Sequence, residues 1–186
     1  MARIIAIANQ KGGVGKTTTS VNLAAALALA PKRVLLVDLD AQGNATMGSG
    51  VDKRDLAGST CDVMLEEMHA ADAIVRTPEG FDLLPGNSDL TAAEIELMDE
   101  PGREQRLRRA LEPLRERYDF ILVDCPPALS LLTLNALTAA DSILVPMQCE
   151  YYALEGLSAL LQTIDALKAK LNPDLEIEGV LRTMFD

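Results

Sequence analysis

Short apolar runs recur along the chain at residues 3–8 (RIIAIA), 33–38 (RVLLVD), 119–124 (DFILVD), 141–145 (DSILV) and 176–183 (EIEGVLRT). Each is short for a helix and rich in β-branched residues or leucine, which predicts strands covered on both faces. Longer segments between them repeat apolar positions every three or four residues and predict helices over 17–30, 88–98, 103–117, 129–139 and 153–171. The stretch 41–60, rich in Gly, Ser, Asp and Asn, reads as a loop, 61–68 as a short helix, and 72–84 as two short edge strands. This alternation specifies a three-layer α/β domain, a mostly parallel twisted sheet with helices on both faces. No repeat, low-complexity tract or linker interrupts residues 1–186, so one domain is expected. The last run reads as a buried strand, and because α/β domains rarely stop on one, the expectation is a chain lacking C-terminal elements.

The junction between the first strand and the first helix carries chemistry. Its sequence, NQKGGVGKTT at residues 9–18, has the composition and placement of a phosphate-binding loop. Gly12, Gly13 and Gly15, with Val14 among them, allow backbone bends that turn N–H groups onto phosphate oxygens. The helix that follows adds the partial positive charge of its N-terminus. Lys16 supplies a full charge for the β- and γ-phosphates, the Thr17 hydroxyl can ligate magnesium, and Thr18 is a further donor. The strict pattern asks for glycine where this chain has Gln10, and a second lysine stands at Lys11, which makes this the deviant Walker A form. In parallel sheets ligands sit at the carboxyl ends of the strands. Asp38 and Asp40 stand at one such tip, where strand alternation points them the same way. Asp124 ends FILVD in Walker B form and would hold magnesium directly or through a water.

Together with VLLVDLDAQGNAT, ILVDCPPALSLLTLNAL and PMQCEYYALEGLSALLQTI, this loop makes the chain resemble the ParA/MinD family of dimeric P-loop ATPases, and within it the ParA/Soj branch. The resemblance implies ATP/ADP and Mg2+ as cofactors and an ATP-dependent homodimer in which Lys11 reaches the nucleotide of the partner. It also implies that Asp40 orients or deprotonates the attacking water while Asp38 supports the magnesium shell. Lys11, Lys16 and Asp40 are thus the expected catalytic set, and Thr17, Asp38 and Asp124 the metal set. Non-specific DNA, bound mainly through C-terminal residues outside this sequence, and a ParB-type centromere-binding protein are the implied partners in segregating chromosome or plasmid DNA. Met184, Phe185 and Asp186 would begin an adenine pocket. The alternatives are a MinD-type ATPase that cycles on the membrane to place the division site, and a nucleotide-dependent positioning module that does not hydrolyse.

A net charge of −11 argues against whole-surface affinity for nucleic acid or anionic membrane, and no segment reaches the length of a membrane span. The expectation is a cytoplasmic protein without stable membrane association, nucleoid-associated when ATP-bound. Basic residues concentrate at Arg103, Arg106, Arg108, Arg109, Arg115 and Arg117, around an apolar stripe of Leu107, Leu111 and Leu114, so these arginines are expected to face solvent. Cys61, Cys125 and Cys149 form no CxxC pair and read as buried free thiols, and His69 reads as a surface residue. No Asn-Lys-x-Asp run reads guanine, which leans toward adenine. Glu150, Tyr151 and Tyr152 are candidates for a dimer face, with core packing as the simpler role.

Overall fold

The computed structural model describes residues 1–150 and 153–185. Its sheet contains β1 (Arg3–Ile7), β2 (Val34–Asp38), β3 (Val75–Arg76), β4 (Asp82–Leu84), β5 (Phe120–Asp124), β6 (Ser142–Gln148) and β7 (Glu176–Thr183). They lie in the order β3-β4-β2-β5-β1-β6-β7, with every neighbour pair parallel except β3 and β4. The helices are α1 (Lys16–Leu29), α2 (Asn44–Gly48), α3 (Thr60–Met64), α4 (Ala70–Ala73), α5 (Leu90–Glu96), α6 (Arg106–Leu111), α7 (Leu131–Ala139) and α8 (Ala153–Lys168).

Strand alternation divides the core in two. Ile4 and Ala6 of β1, Leu35 and Val37 of β2, and Ile121 and Val123 of β5 face α3 to α8, where Leu107, Leu137 and Ile164 complete the packing. Ile5, Ile7, Val34, Leu36 and Leu122 face the opposite way and meet Ala24 of α1, Ala45 of α2 and Phe81. The three layers expected from the alternating pattern are therefore present, with central strands buried on both sides.

Several expectations are corrected. The 41–60 loop contains α2, whose Thr46 is fixed from its N–H and hydroxyl by the Asp38 carboxylate at 2.8 and 2.6 Å. The helix expected over 103–117 is divided into a 3₁₀ turn, α6 and a second 3₁₀ turn at Glu112–Leu114. Pro113 accounts for the second break, because it has no N–H to continue the α-helical ladder. β6 runs three residues beyond its expected end, through Gln148, by pairing with β7. The final strand is an exposed edge rather than a buried one, with Ile177, Val180 and Leu181 all 40% or more exposed. Not all the arginines face solvent. The Arg106 side chain is only 11% exposed and pairs with Glu66, while Arg115 forks onto Asp141 at 3.0 Å through both terminal nitrogens. Cys61 and Cys125 are buried as expected, but Cys149 is exposed. His69 is exposed as expected.

Candidate functional site

The sheet order places β1 between β5 and β6, while the chain leaving β1 crosses to β2, on the far side of β5. This is a topological switch point, where an α/β sheet opens a crevice at the carboxyl ends of its strands. The segment between Ile7 and Lys16 lies there. Gly13 and Gly15 have φ of 75° and 87°, in the left-handed region that side-chain-bearing residues seldom adopt, and Gly15 caps α1. Neighbouring groups fix the loop from outside. Asn9 donates to Pro146 O at 2.7 Å and accepts from Lys11 N–H at 3.0 Å, Gln148 donates to Gly13 O at 3.3 Å, and Thr183 donates to Val14 O at 2.8 Å.

The resulting cleft, about 360 Å3, is lined by Gly12, Gly13, Gly15, Lys16, Thr17 and Thr18 together with Asp40, Gln42, Asn44, Pro127 and Met184. Val14 is buried behind the loop. Lys16 is 6% exposed, and its ammonium donates to Lys11 O at 3.0 Å across the loop. Burial lowers its pKa, partly countered by Asp124, Cys125 and Asp40. An anion in the cleft would restore the charge balance that burial upsets.

Asp124 lies beneath Thr17. Its carboxylate accepts from Thr17 Oγ1 at 2.8 Å and from Ser20 Oγ at 2.7 Å. Burial raises its pKa to about 7, opposed by the Ser20 and Thr17 hydrogen bonds and reinforced by the charges of Asp38 and Asp40. Asp38 pairs in register with Asp124 across β2 and β5, and burial raises its pKa to about 6 against the hydrogen bonds from Thr46. Such crowded carboxylates, desolvated next to a lysine, favour a bound divalent cation.

Among the described residues, no three acidic, histidine or cysteine side chains enclose a metal by themselves. Magnesium suits this arrangement all the same, because it is commonly held by one or two protein oxygens plus phosphate oxygens and waters. Thr17 Oγ1 and Asp124, joined at 2.8 Å, are oxygens that could serve.

Asp38 and Asp40 do not point the same way. β2 ends at Asp38, so its alternation does not extend two residues further. Asp38 turns inward and accepts from Thr46 and from Asp40 N–H at 3.2 Å, whereas Asp40 lines the cleft. Lys11 extends away from the loop and pairs with Glu150 at 2.5 Å. Met184, with φ of 50°, reaches the cleft, and Phe185 lies under the Arg182 guanidinium 4.5 Å from the ring centre. Tyr151, Tyr152 and Asp186 lie outside the described residues.

Sequence reasoning missed Ser20, Thr46, Gln148 and Thr183. Ser20 had a signal, since it sits three residues after Thr17 on one helix face. The others act across the fold and leave no local pattern.

The model of the AAA domain family matches residues 2–177. Soj of Bacillus subtilis, a sporulation initiation inhibitor protein, is 57% identical over the whole of this chain, which spans 74% of that protein. The chromosome partitioning protein ParA of Myxococcus xanthus is 55% identical over the whole chain, which spans 66% of it. The chain belongs to the ParA/Soj family. Among solved structures, cobyrinic acid a,c-diamide synthase from Mycobacterium smegmatis with bound ADP and magnesium has a TM-score of 0.97 and 48% identity, covering all of this chain and 76% of that one. The family match spans the loop with Lys11 and the carboxylates that end β2 and β5. Among the described residues, no helix of this family member is long and apolar enough to cross a membrane.

Proposed function

We propose that this chain is a magnesium-dependent ATPase that switches between monomer and ATP-bound dimer to segregate DNA. The observation that carries the reading is the joining of Thr17, Ser20 and Asp124 by hydrogen bonds of 2.7–2.8 Å directly below a glycine loop whose lysine is buried. In this reading the N–H groups from Gly12 to Thr18 receive the phosphates, Lys16 spans the β- and γ-oxygens, and Thr17 and Asp124 hold magnesium. The ion, when bound, would neutralise negative charge on the phosphate oxygens.

Asp40, in the cleft wall, orients or deprotonates the attacking water. Asp38 acts as a positioning residue: its two oxygens are engaged by Thr46 and the Asp40 N–H, so it fixes the Asp40 segment and adds negative charge behind the magnesium site. Lys11 supplies its charge across a dimer interface once it leaves Glu150. The exposed ion pair costs little to break, on the order of 1 kcal/mol or less. A ParB-type protein that stimulates hydrolysis and non-specific DNA complete the cycle, in the cytoplasm and on the nucleoid. Identities of 57% and 55% to proteins named Soj and ParA support partition over the amide synthesis named for the Mycobacterium smegmatis protein at 48%.

The test pairs Lys16→Ala with Asp40→Ala. Equilibrium binding of a fluorescent ATP analogue with magnesium should be lost in the first and retained in the second, with turnover suppressed in both. Solution mass should double with ATP in Asp40→Ala and stay monomeric in Lys11→Ala. Equal loss of binding in Lys16→Ala and Asp40→Ala would overturn the roles, and a monomer under every nucleotide condition would overturn the switch.

A further inference from the structure

A second cleft, of about 580 Å3, lies between the α3–α4 segment and α6 and shares no lining residue with the nucleotide cleft. Its volume falls within the usual range for small-molecule sites, about 300–1,000 Å3. Val63, Met68, Ala110, Pro113 and Leu114 supply much of its wall, and the lining includes no Ser, Thr, Asn or Gln. Apart from the charged groups, the lining offers the His69 imidazole as its hydrogen-bonding side chain, and the rest of a ligand here would meet hydrocarbon.

The charged end has a place prepared. Arg106 and Arg109 both line the cleft, and Glu66 lies between them, 2.5 Å from Arg106 and 3.9 Å from Arg109. The two partners of the closer pair differ in freedom. Arg106 is 11% exposed in its side chain and held in the α6 layer, whereas Glu66 is 57% exposed. The carboxylate can swing into water, but the guanidinium cannot follow. Glu100 stands 3.6 Å from Arg106, outside hydrogen-bond reach, and the Arg106 Nε is buried without a hydrogen-bond partner among the described residues. A guanidinium carries donors in a fork suited to a carboxylate, and this one uses only part of it.

The backbone at Glu66 is the second observation. Its φ is 62°, and it directly follows Leu65, the C-cap of α3. This is the position where helices favour glycine in the left-handed conformation. Local backbone preference therefore opposes glutamate here, while the position delivers its carboxylate to Arg106.

We propose that this cleft binds a small apolar carboxylate, with Glu66 occupying the anion position until such a ligand displaces it. The exchange replaces one carboxylate by another and leaves the charge on Arg106 balanced. A monoanion fits better than a phosphate dianion, because Glu66, Glu100 and Asp72 keep the surroundings acidic. The hydrocarbon body of the ligand is satisfied by the apolar wall.

The experiment titrates sodium octanoate and, separately, octan-1-ol into the full chain and follows the methyl resonance of Met68, assigned with methyl-labelled methionine. Octanoate should shift that resonance saturably and bind at least roughly tenfold tighter than octan-1-ol, as one charge-assisted hydrogen bond implies. Glu66→Gln, which removes the internal competitor, should tighten octanoate by about threefold or more, in line with the modest strength of an exposed ion pair. Arg106→Gln should abolish the preference for octanoate over octan-1-ol. Equal binding of the acid and the alcohol to the unaltered chain would overturn the proposal, as would unchanged or weaker octanoate binding in Glu66→Gln. Since Glu66 is exposed, its variant is expected to fold, and it decides the question even if Arg106→Gln does not.

Discussion

Replacing Asp124 by Asn tests how far the site is held in tension for its ligand. The carboxylate has a pKa of about 7 in the folded chain, against an ordinary 3.8, with burial as the largest cause. Between these values the folded state binds more protons than the unfolded state, so stability falls as pH rises. The contribution is fully present below the unfolded value and is lost as pH passes the folded one. Integrated from pH 5 to pH 8, it amounts to a few kcal/mol, a large share of a typical domain stability of about 5–15 kcal/mol. Asparagine cannot ionise, and its amide can still bond the Thr17 and Ser20 hydroxyls, which rotate to accept or donate.

Urea unfolding of both proteins without nucleotide, at pH 5 and pH 8, should therefore show the unaltered chain losing a few kcal/mol more than Asp124→Asn over this interval. Adding magnesium and ATP at pH 8 should stabilise the unaltered chain much more than the variant. Parallel pH profiles would refute the claim that the buried charge is costly, and equal stabilisation by magnesium and ATP would refute its assignment to the metal.

Ser20→Ala removes a donor from the same carboxylate and should cost about 1–2 kcal/mol at pH 8, with a smaller loss at pH 5 where Asp124 is protonated; paired denaturation curves check the difference. Leu107→Ala removes a fully buried side chain from the larger core cluster and should cost about 2–5 kcal/mol in the same assay without altering nucleotide affinity per folded molecule.

The central sheet was readable because β1, β2 and β5 are apolar on both faces and because β2 and β5 end in carboxylates. Walker-type spacing at Gly12 to Thr18, with Asp124 on another strand tip, likewise announces a phosphate site before any coordinates are known. What escaped was set by tertiary contact. α2 spans five residues without an apolar period and is anchored by Thr46 to a carboxylate eight positions earlier. The divergence of Asp38 from Asp40 depends on where β2 stops, and element ends are the least legible feature of a sequence. Ser20 shares a helix face with Thr17, but its partner shows only when the fold brings it to Asp124, 104 positions away. Pro113 did mark the break in the expected 103–117 helix, but the leucine stripe continuing through Leu114 masks it.

The outward bonds of the phosphate loop also set its polarity. In a trans peptide the carbonyl and N–H point in opposite directions, so securing one orients the other. Gln148 and Thr183 hold the carbonyls of Gly13 and Val14 and thereby turn the N–H groups of Val14 and Gly15 away from Gln148 and Thr183. Thr183, 169 residues from Val14 in sequence and on an edge strand, thus acts as a compass needle for the loop. The cradle meets its ligand with its dipoles already aligned, and the orientational entropy of those peptide planes is given up during folding rather than at each encounter with nucleotide.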